Sequence, residues 1–270
     1  MLAEERRFRI REMLSVDRTV NASELTRTLG VTAATVRRDL AALEQEGVLV
    51  RSHGGAASHA PSTNFQPSYE ALGRVNKEEK QAIALEAERM ILDGDTLFLE
   101  GSTTVYELAR RLQHRKRLTV VTNSPLILCQ LQRCPNINLM CTGGDLQKDV
   151  FYLSGLWAQR SISEIRVDKA ILGVSAIDPT YGVSTASSAE AQIKKMLLKV
   201  ARVRIALADH SKFGNQAFAY VGPVTDFNTL ITDSGTDAKH VDALRESGVE
   251  VVVAEQAPAT KEPRVPRKSR

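Results

Sequence analysis

Apolar positions between residues 20 and 56 follow helical spacing twice and then form a short apolar run, which predicts two helices and a hairpin. The first helix carries Leu25 and Leu29 on one apolar face. We expect Ser23 to be its N-cap and Gly30 to end it in the left-handed conformation. A short helix that ends in a tight turn is the first half of a helix-turn-helix pattern.

The second helix of this module has basic residues on its outer face. Val36, Leu40 and Leu43 recur at helical spacing, so the face that they form turns toward the core. The residues near its start that are left on the outside are Thr32, which can cap the helix, Thr35, Arg37 and Arg38. The major groove admits one helix, and residues near its N-terminus reach base edges, so these four are candidate DNA contacts. An arginine there can pair with guanine or hold a phosphate, and both roles remain open.

A basic hairpin follows the second helix. Gly47 is expected to end that helix, and the apolar residues 48–50 begin a strand that leads to Arg51 and His53. Two glycines, at 54 and 55, form the tip, where a chain without side chains can approach a phosphate backbone closely. Arg51 and His53 are therefore the candidate DNA contacts of this hairpin, the wing.

The run VRRDL, residues 36–40, could also be the solvated face of an ordinary exposed helix, and taken alone that explanation is the better one. The cap, the turn, the helix and the hairpin nevertheless occur in the order of a winged helix-turn-helix, which favours DNA binding. We expect Asp39 to pair with a neighbouring arginine and fix its direction rather than to read a base.

Beyond residue 77, short aliphatic strands alternate with amphipathic helices, which predicts an α/β domain with a mainly parallel sheet. The predicted strands are 96–99, 119–122, 137–142, 170–173, 203–208, 230–232 and 249–253, and the predicted helices are 78–92, 105–112, 125–133, 188–200 and 237–247. Residues 58–76 have two prolines and no sustained periodicity, as a linker would. The predicted organisation is a winged helix-turn-helix at 1–57, a linker at 58–76, an effector and oligomerisation domain at 77–256, and a disordered basic tail at 257–270.

Small polar residues follow four of the predicted strands. They lie at Glu100 to Thr104, Thr122 to Ser124, Gly143 to Asp145 and Asp209 to Gly214. Each loop alone is explained by helix capping and turn chemistry. Parallel strands, however, bring their carboxyl ends to one edge of the sheet, where ligands bind. The first loop opens a helix, so its amides and hydroxyls suit a phosphate.

Charge and cysteine usage add little to this picture. The chain has 270 residues and a net charge of +4, and residues 257–270 alone carry five basic residues against one acidic residue. DNA affinity must therefore come from local placement of arginines rather than from bulk charge. Cys129, Cys134 and Cys141 lack metal-ligand spacing and are expected to be core thiols. Without a membrane-spanning run or a signal peptide, the protein is expected to be cytoplasmic.

The module with TVRRDL followed by HGGA resembles the DeoR family of bacterial transcription regulators, and the resemblance extends over residues 1 to about 254. It implies that Thr32, Thr35, Arg37 and Arg38 lie on the recognition helix, with Arg51 and His53 in the wing. The effector domain of the family is similar in fold to sugar-phosphate isomerases such as ribose-5-phosphate isomerase. The resemblance further implies a phosphate cradle of Gly101, Ser102, Thr103 and Thr104, a pocket lined by Asn123 and Gly144, and ligand contacts from Asp209 and Lys212. The chain departs from the family at Glu100, where Asp is usual, and we expect this longer carboxylate to contact the effector and reshape the sugar end of the pocket.

Two functions from different classes fit these features. One is a repressor of a sugar or polyol catabolic operon that a phosphorylated sugar releases from its operator. The other is an active sugar-phosphate isomerase that carries a DNA-binding module. Isomerisation needs a positioned general base, and no pair stands out among Glu100, Asp168, Asp178 and Asp209, while His210 fits an ordinary loop role. We therefore expect no catalytic residues, no cofactor and no metal.

Double-stranded operator DNA is the expected macromolecular partner. Two half-sites about 34 Å apart on one face of the duplex require at least two copies of the chain. The larger domain is therefore expected to assemble as well as to sense its effector, and the predicted homo-oligomer is a dimer or a tetramer.

Overall fold

The computed structural model describes residues 2–17, 19–46, 48–52, 54–58 and 66–255. The N-terminal unit contains α1 (Ala3–Asp17), β1 (Thr19–Asn21), α2 (Ala22–Leu29), α3 (Ala33–Gln45), β2 (Leu49–Ser52) and β3 (Gly55–Ser58). Its strands form an antiparallel sheet in the order β1-β3-β2. The predicted winged helix-turn-helix is confirmed, with α3 as its second helix and β2 and β3 as the wing.

One apolar cluster holds this unit together, and it contains the residues that the helical spacing predicted to face inward. Ile10 and Leu14 of α1 pack in it beside Leu25 of α2 and Val36 of α3. Strand β1 was not predicted, because a three-residue segment with one buried side chain, Val20, has too few positions to show a period.

The predicted helix ends are correct at three of four positions that the structure describes. Gly30 has a φ of 64°, and Thr32 accepts the backbone N–H of Thr35 as N-cap. The N-cap of α2, however, is Asn21 and not Ser23, whose own N–H donates to Asn21 Oδ1 at 2.9 Å. Because β1 runs directly into the helix, Asn21 has the extended backbone that a cap requires. The helix α3 ends at Gln45, as expected, and Gly47 lies outside the described residues.

The larger unit is an α/β domain built on a seven-stranded sheet in the order β15-β14-β12-β9-β4-β5-β6, with every neighbouring pair parallel. Its helices are α4 (Tyr69–Arg74), α5 (Lys77–Arg89), α6 (Thr103–Arg111), α7 (Pro125–Leu131), α8 (Gly155–Ser163), α9 (Ser188–Val200) and α10 (Ala238–Glu246). The sheet strands are β4 (Thr96–Leu99), β5 (Leu118–Thr122), β6 (Ile137–Cys141), β9 (Val167–Gly173), β12 (Ala201–Leu207), β14 (Thr229–Asp233) and β15 (Glu250–Ala254). Two small antiparallel sheets pair β7 (Asp145–Gln147) with β8 (Tyr152–Ser154), and β10 (Ala176–Asp178) with β11 (Gly182–Thr185) and β13 (Ala219–Gly222).

Helices cover both faces of the main sheet, as the near-continuous apolar strands predict. Within β4, Phe98 belongs to the core on one face, whereas Leu97 and Leu99 belong to the core on the other. The chain leaves β4 toward β5 and β6 on one side and reaches β9, β12, β14 and β15 on the other. The order therefore reverses between β4 and β9, and a crevice opens outside the carboxyl ends of strands at such a point.

Three features of the larger unit differ from the sequence prediction. Residues 69–74, inside the predicted linker, form the helix α4, which is too short to show a helical period. Helix α8 and the five short strands of the small sheets were also not predicted. Cys129 and Cys141 are exposed and are not core thiols; Cys141 lies on β6, the edge strand of the sheet. Cys134 is half-buried and packs against the core.

Candidate functional site

The helix α3 presents its polar face to solvent. Thr32, Arg37 and Arg38 are exposed, and Thr35 is half-exposed. The Thr32 hydroxyl lies 3.0 Å from the Thr35 hydroxyl and caps the helix, so it also has a structural role. This geometry leaves two neighbouring guanidinium groups on the face opposite the apolar core.

The carboxylate of Asp39 is buried and pairs with Arg6 of α1 through two hydrogen bonds of 2.7 and 3.2 Å. Asp39 therefore pairs with an arginine, as expected, but the partner comes from α1 and is not a neighbour in the sequence. Residues one or two positions apart do not face each other on a helix, and Asp39 lies on the inner side beside Leu40. The pair fixes α3 against α1, which sets the direction of the whole helix.

Arg51 of the wing is exposed and is held close to the end of α3. Its backbone N–H donates to Glu44 Oε1 at 3.1 Å, and its guanidinium lies 3.8 Å from the same carboxylate. At the tip, a side chain on Gly55 would lie 2.0 Å from the carbonyl oxygen of Val20, so only glycine fits there. His53 lies outside the described residues.

A cavity of about 530 Å³ lies at the reversal between β4 and β9. Of the residues predicted for effector binding, those that line it are Gly101, Ser102, Thr103, Thr104 and Lys212. The other four, Glu100, Asn123, Gly144 and Asp209, are not among the lining residues. The loop after β4 and the loop after β12 thus reach one cavity.

The loop after β4 delivers the N-terminus of α6 to this cavity. Ser102 is the N-cap and accepts the N–H of Val105 at 3.2 Å, so Thr103 and Thr104 form the first turn. Gly101 is confined by Tyr152, whose Cβ would lie 2.8 Å from an added side chain. Unpaired backbone donors at a helix N-terminus attract anions, so this wall of the cavity suits a phosphate.

Asn123 supports this loop from behind. Its side-chain oxygen accepts the N–H of Gly101 at 2.9 Å, and its amide group donates to the carbonyl of Leu153 at 3.2 Å. Gly144, expected to line the pocket, instead has a φ of +114° and packs against the carbonyl of Ser154. Both residues contact the backbone of neighbouring loops and do not line the cavity: Asn123 holds Gly101 and Leu153, and Gly144 packs against Ser154.

Glu100 turns away from the cavity and forms a buried ion pair with Lys194 of α9, at 2.7 Å. The N–H of Gly173 donates to the other carboxylate oxygen at 3.2 Å, and Lys194 donates to the carbonyl of Gly173 at 2.6 Å. Burial raises the pKa of Glu100, whereas Lys194 lowers it. The pair connects the ends of β4 and β9. The carboxylate of Glu100 therefore has a structural role at the cavity and does not contact a ligand there.

Asp209 is also buried beside the cavity rather than on its wall. Asn76 and Ser211 donate to it, the former at 2.7 Å, and Lys212 Nζ lies 3.8 Å away. Burial opposes ionisation, but Lys212 and these hydrogen bonds hold the pKa of Asp209 below its usual value. The carboxylate therefore orients Lys212, which itself reaches the cavity.

A second lysine of the cavity, Lys80 of α5, is not among the residues predicted from the sequence. Its side chain is buried, and its ammonium donates to the carbonyls of Leu72 and Val75. Burial lowers its pKa to about 8. A lysine in an amphipathic helix is ordinarily exposed. The sequence does not show that α4 and Val75, which follows it, pack over Lys80 and supply the carbonyls that bind its ammonium.

The segment 66–75 forms one wall, with Gln66, Pro67, Tyr69, Leu72 and Val75 facing the cavity. Among the residues that the structure describes, the Tyr69 hydroxyl is the buried side-chain polar group that lacks a hydrogen-bond partner. Burial raises the pKa of this phenol, so it stays protonated and can donate to a ligand.

The carboxylates considered for catalysis do not line the cavity. Asp168 accepts hydrogen bonds from Thr96, and Asp178 accepts two from the turn at residues 180–181. His210 does line it, with Nδ1 2.9 Å from the buried carboxylate of Asp233. Among the described residues, the carboxylate that lines the cavity is that of Glu190 in α9, which was not predicted from the sequence.

The described part of the chain has no helix that is both long and apolar enough to cross a membrane. It also has no cluster of three or more His, Cys, Asp or Glu side chains that could hold a metal ion.

Comparison with known proteins gives matches to both units. Residues 6–62 match the DeoR-like helix-turn-helix domain, and residues 75–234 match the DeoR C terminal sensor domain. YulB of Bacillus subtilis, an uncharacterized HTH-type transcriptional regulator, is 36% identical over 93% of this chain and 96% of its own. The HTH-type transcriptional repressor GlcR of Bacillus subtilis is 33% identical, over 95% of this chain and 98% of its own. The putative aga operon transcriptional repressor of Escherichia coli O157:H7 is 32% identical, over 92% and 93%.

Among solved structures, ribose 5-phosphate isomerase A of Methanocaldococcus jannaschii aligns at 20% identity over 51% of this chain and 55% of the isomerase. The TM-score is 0.38, and a likeness at this level carries no information about activity. The two domain matches and the full-length regulators together show that this chain belongs to the DeoR family of DNA-binding transcription regulators.

Proposed function

We propose that the protein represses a sugar or polyol catabolic operon and that a phosphorylated sugar metabolite releases it from its operator. The observation that carries this proposal is the composition of one cavity wall: the N-terminus of α6 lies in the same cavity as Lys212 and Lys80. A helix N-terminus with two lysines nearby suits a dianionic group such as a phosphate monoester.

The rest of the wall suits the sugar. The hydroxyl of Tyr69, the imidazole of His210 and the carboxylate of Glu190 all reach the cavity and can exchange hydrogen bonds with hydroxyl groups. A volume of about 530 Å³ accommodates a hexose or pentose phosphate. Two relatives are named as repressors, GlcR and the putative aga operon transcriptional repressor, which supports the repressor part of the proposal.

DNA recognition in this proposal rests on α3 and the wing. Arg37 and Arg38 enter the major groove with Thr32 and Thr35, and Arg51 contacts phosphate beside the groove. Two such modules on one operator require a homo-oligomer, a dimer or a tetramer. A regulator of this kind acts on chromosomal DNA in the cytoplasm.

The test is a titration of operator complexes with inorganic phosphate, glucose 6-phosphate, fructose 6-phosphate, glycerol 3-phosphate and the corresponding free sugars and glycerol. Operator DNA can be obtained from fragments that copurify with the protein. We expect a phosphorylated compound to lower operator affinity about 5- to 150-fold, the usual range for coupled sites. Release by the free sugar at equal concentration would overturn the phosphate part of the proposal and leave the repressor part intact.

A further inference from the structure

Four consecutive residues, 66–69, join the cavity to the DNA-binding unit, and we call them the connecting segment: three of them line the cavity and Ser68 contacts α1. Gln66 and Pro67 line the cavity. The N–H of Ser68 donates to the carboxylate of Glu12 in α1 at 2.7 Å. Tyr69 lines the cavity, and its own N–H donates to the carbonyl of Asp149 at 2.7 Å.

The side chain of Gln66 is hydrogen-bonded to the carboxylate of Glu190 in α9, which also lines the cavity. The Gln66 amide donates to Glu190 Oε2 at 2.9 Å, and the Thr185 hydroxyl donates to the same oxygen at 2.5 Å. The other oxygen, Oε1, lies 3.1 Å from Lys194 Nζ. Of the two carboxylate oxygens of Glu190, Oε1 pairs with Lys194, and Oε2 accepts from Thr185 and from Gln66 of the connecting segment.

The charges around Glu190 leave it able to accept another donor. Glu190 and Glu100 are two carboxylates against the single ammonium of Lys194, and all three are buried. A buried carboxylate with incomplete charge compensation favours additional hydrogen-bond donors, and the amide of Gln66 supplies one. Sugar hydroxyls are donors of the same kind, and they would come from inside the cavity.

We propose that Glu190 recognises the hydroxyl groups of the effector. In the free protein, the side-chain amide of Gln66 occupies the position that an effector hydroxyl takes in the complex. The effector hydroxyl and the Gln66 amide compete for Glu190 Oε2, so binding of the effector detaches Gln66 and loosens the connecting segment. This proposal rests on the proposed function, because it names the residue that binds the sugar hydroxyls in the same cavity. The anionic group of the effector binds at Lys212 and the N-terminus of α6.

This competition gives the effector a different affinity for the two states of the segment, which any coupling between effector and DNA requires. With Gln66 on Glu190, the segment is fixed to the cavity wall and, through Ser68, to α1. With Gln66 detached, only the contacts of residues 67–69 remain. A ligand that contacts only Lys212 and the N-terminus of α6, such as inorganic phosphate, leaves Gln66 bound to Glu190 and does not loosen the connecting segment.

The experiment compares Gln66→Ala with Gln81→Ala in the full-length protein. Gln81 makes a similar hydrogen bond to Glu107, at 3.4 Å, on the outside of α5 and away from the cavity. Binding of glucose 6-phosphate, fructose 6-phosphate, glycerol 3-phosphate and inorganic phosphate is measured by calorimetry, and operator release by fluorescence anisotropy. For Gln66→Ala we expect about 2- to 10-fold tighter binding of the compound that releases the wild-type protein, because a hydrogen bond no longer competes.

The same variant should bind operator less tightly without effector, and its operator affinity should change less when the effector is added. Inorganic phosphate should bind Gln66→Ala, Gln81→Ala and the wild type equally. Glu190→Gln should weaken the sugar phosphate at least 10-fold and spare inorganic phosphate. Gln66→Ala alone decides the question if Glu190→Gln does not fold.

Two results contradict the proposal in different ways. If Gln66→Ala binds the sugar phosphate with wild-type affinity and releases operator as the wild type does, competition is refuted and the proposed function remains. If none of the three phosphorylated compounds binds the wild-type protein, the proposed function fails, and the assignment of Glu190 fails with it.

Discussion

The backbone N–H of Ser68 donates to the carboxylate of Glu12, so the first turn of α4 at the cavity wall is joined directly to α1 of the DNA-binding unit. Ser68 is also the N-cap of α4, since its hydroxyl accepts the N–H of Ala71 at 3.3 Å. Movement of α4 would therefore reach α1, and α1 holds the recognition helix through the pair of Arg6 and Asp39.

This contact predicts a variant in which sensing and DNA binding are uncoupled. Glu12→Ala removes the acceptor but leaves the cavity and α3 unchanged, so effector binding should stay normal while effector-induced release becomes weaker. Operator affinity with and without effector, measured by anisotropy, checks this. Glu5→Ala, which removes an exposed pair with Arg9, is the control, and an unchanged response in Glu12→Ala would refute the role of the contact.

Arg37 and Arg38 should carry much of the operator affinity, because both are exposed on α3 opposite its buried face. Replacing an arginine that contacts a base should cost about 1–3 kcal/mol and relax preference at one position. Loss of a phosphate contact should weaken all sequences and reduce the salt slope by about one. Salt titrations with operator and random DNA separate these roles. Wild-type affinity in a folded double alanine variant would disprove the placement, and Arg89→Ala, on the exposed side of α5, is the control.

Lys212→Ala should leave operator binding near normal and abolish the response to the phosphorylated effector. The reason is that Asp209 holds this ammonium at the cavity, where it acts as a point charge for an anion. Lys239→Ala removes an exposed lysine of α10 and should respond as the wild type does. Release of Lys212→Ala at the wild-type effector concentration would show that the lysine belongs only to the loop.

Effector affinity should fall as the pH rises from 7 to 9. Burial lowers the pKa of Lys80 to about 8, so its positive charge is lost within this interval, while a phosphate monoester is already dianionic. The lowered pKa also means that charged Lys80 costs stability below pH 8. This cost is relieved as the pH rises from about 8 to 10.5, because in that interval the unfolded chain binds more protons than the folded one. Calorimetry at several pH values should show a step in the wild type that is absent in Lys80→Met. A step of equal size in both proteins would assign it to another group.

Lys194→Ala should destabilise the protein by about 3–5 kcal/mol, because it leaves the buried carboxylates of Glu100 and Glu190 without their cation. Urea unfolding measures this loss. Lys199→Ala, at an exposed position of the same helix, should change stability by less than about 0.5 kcal/mol. Equal stabilities of the two variants would contradict the structural role of the buried ion pair.

Local rules were enough for the DNA-binding unit. Thr32 and Gly30 were predictable because a cap and a left-handed helix end depend on residues within one turn. The partner of Asp39 was not, since Arg6 is 33 residues away and only the packing of α1 brings it near. The N-cap of α2 was predicted at Ser23 instead of Asn21 for a similar reason, because the strand that ends at Asn21 forms only by pairing with β3.

The cavity shows the same division. The loop 101–104 was predictable from small polar residues after a strand, but Glu100 was expected to face the ligand. Its partner Lys194 comes from a helix 94 residues later, so the sequence near Glu100 gives no sign that it points inward. Lys80 and Glu190 were missed because charged residues in helices are ordinarily exposed, and only the closed tertiary structure shows that these two are not.

The position of α4 has a consequence for dividing the protein into parts. The sensor match begins at residue 75, yet Gln66, Pro67, Tyr69 and Leu72 form one side of the cavity. A fragment cut at that boundary would keep the seven-stranded sheet and lose this wall. Its cavity would be open to water, so affinities measured on an isolated C-terminal fragment would not describe the intact regulator.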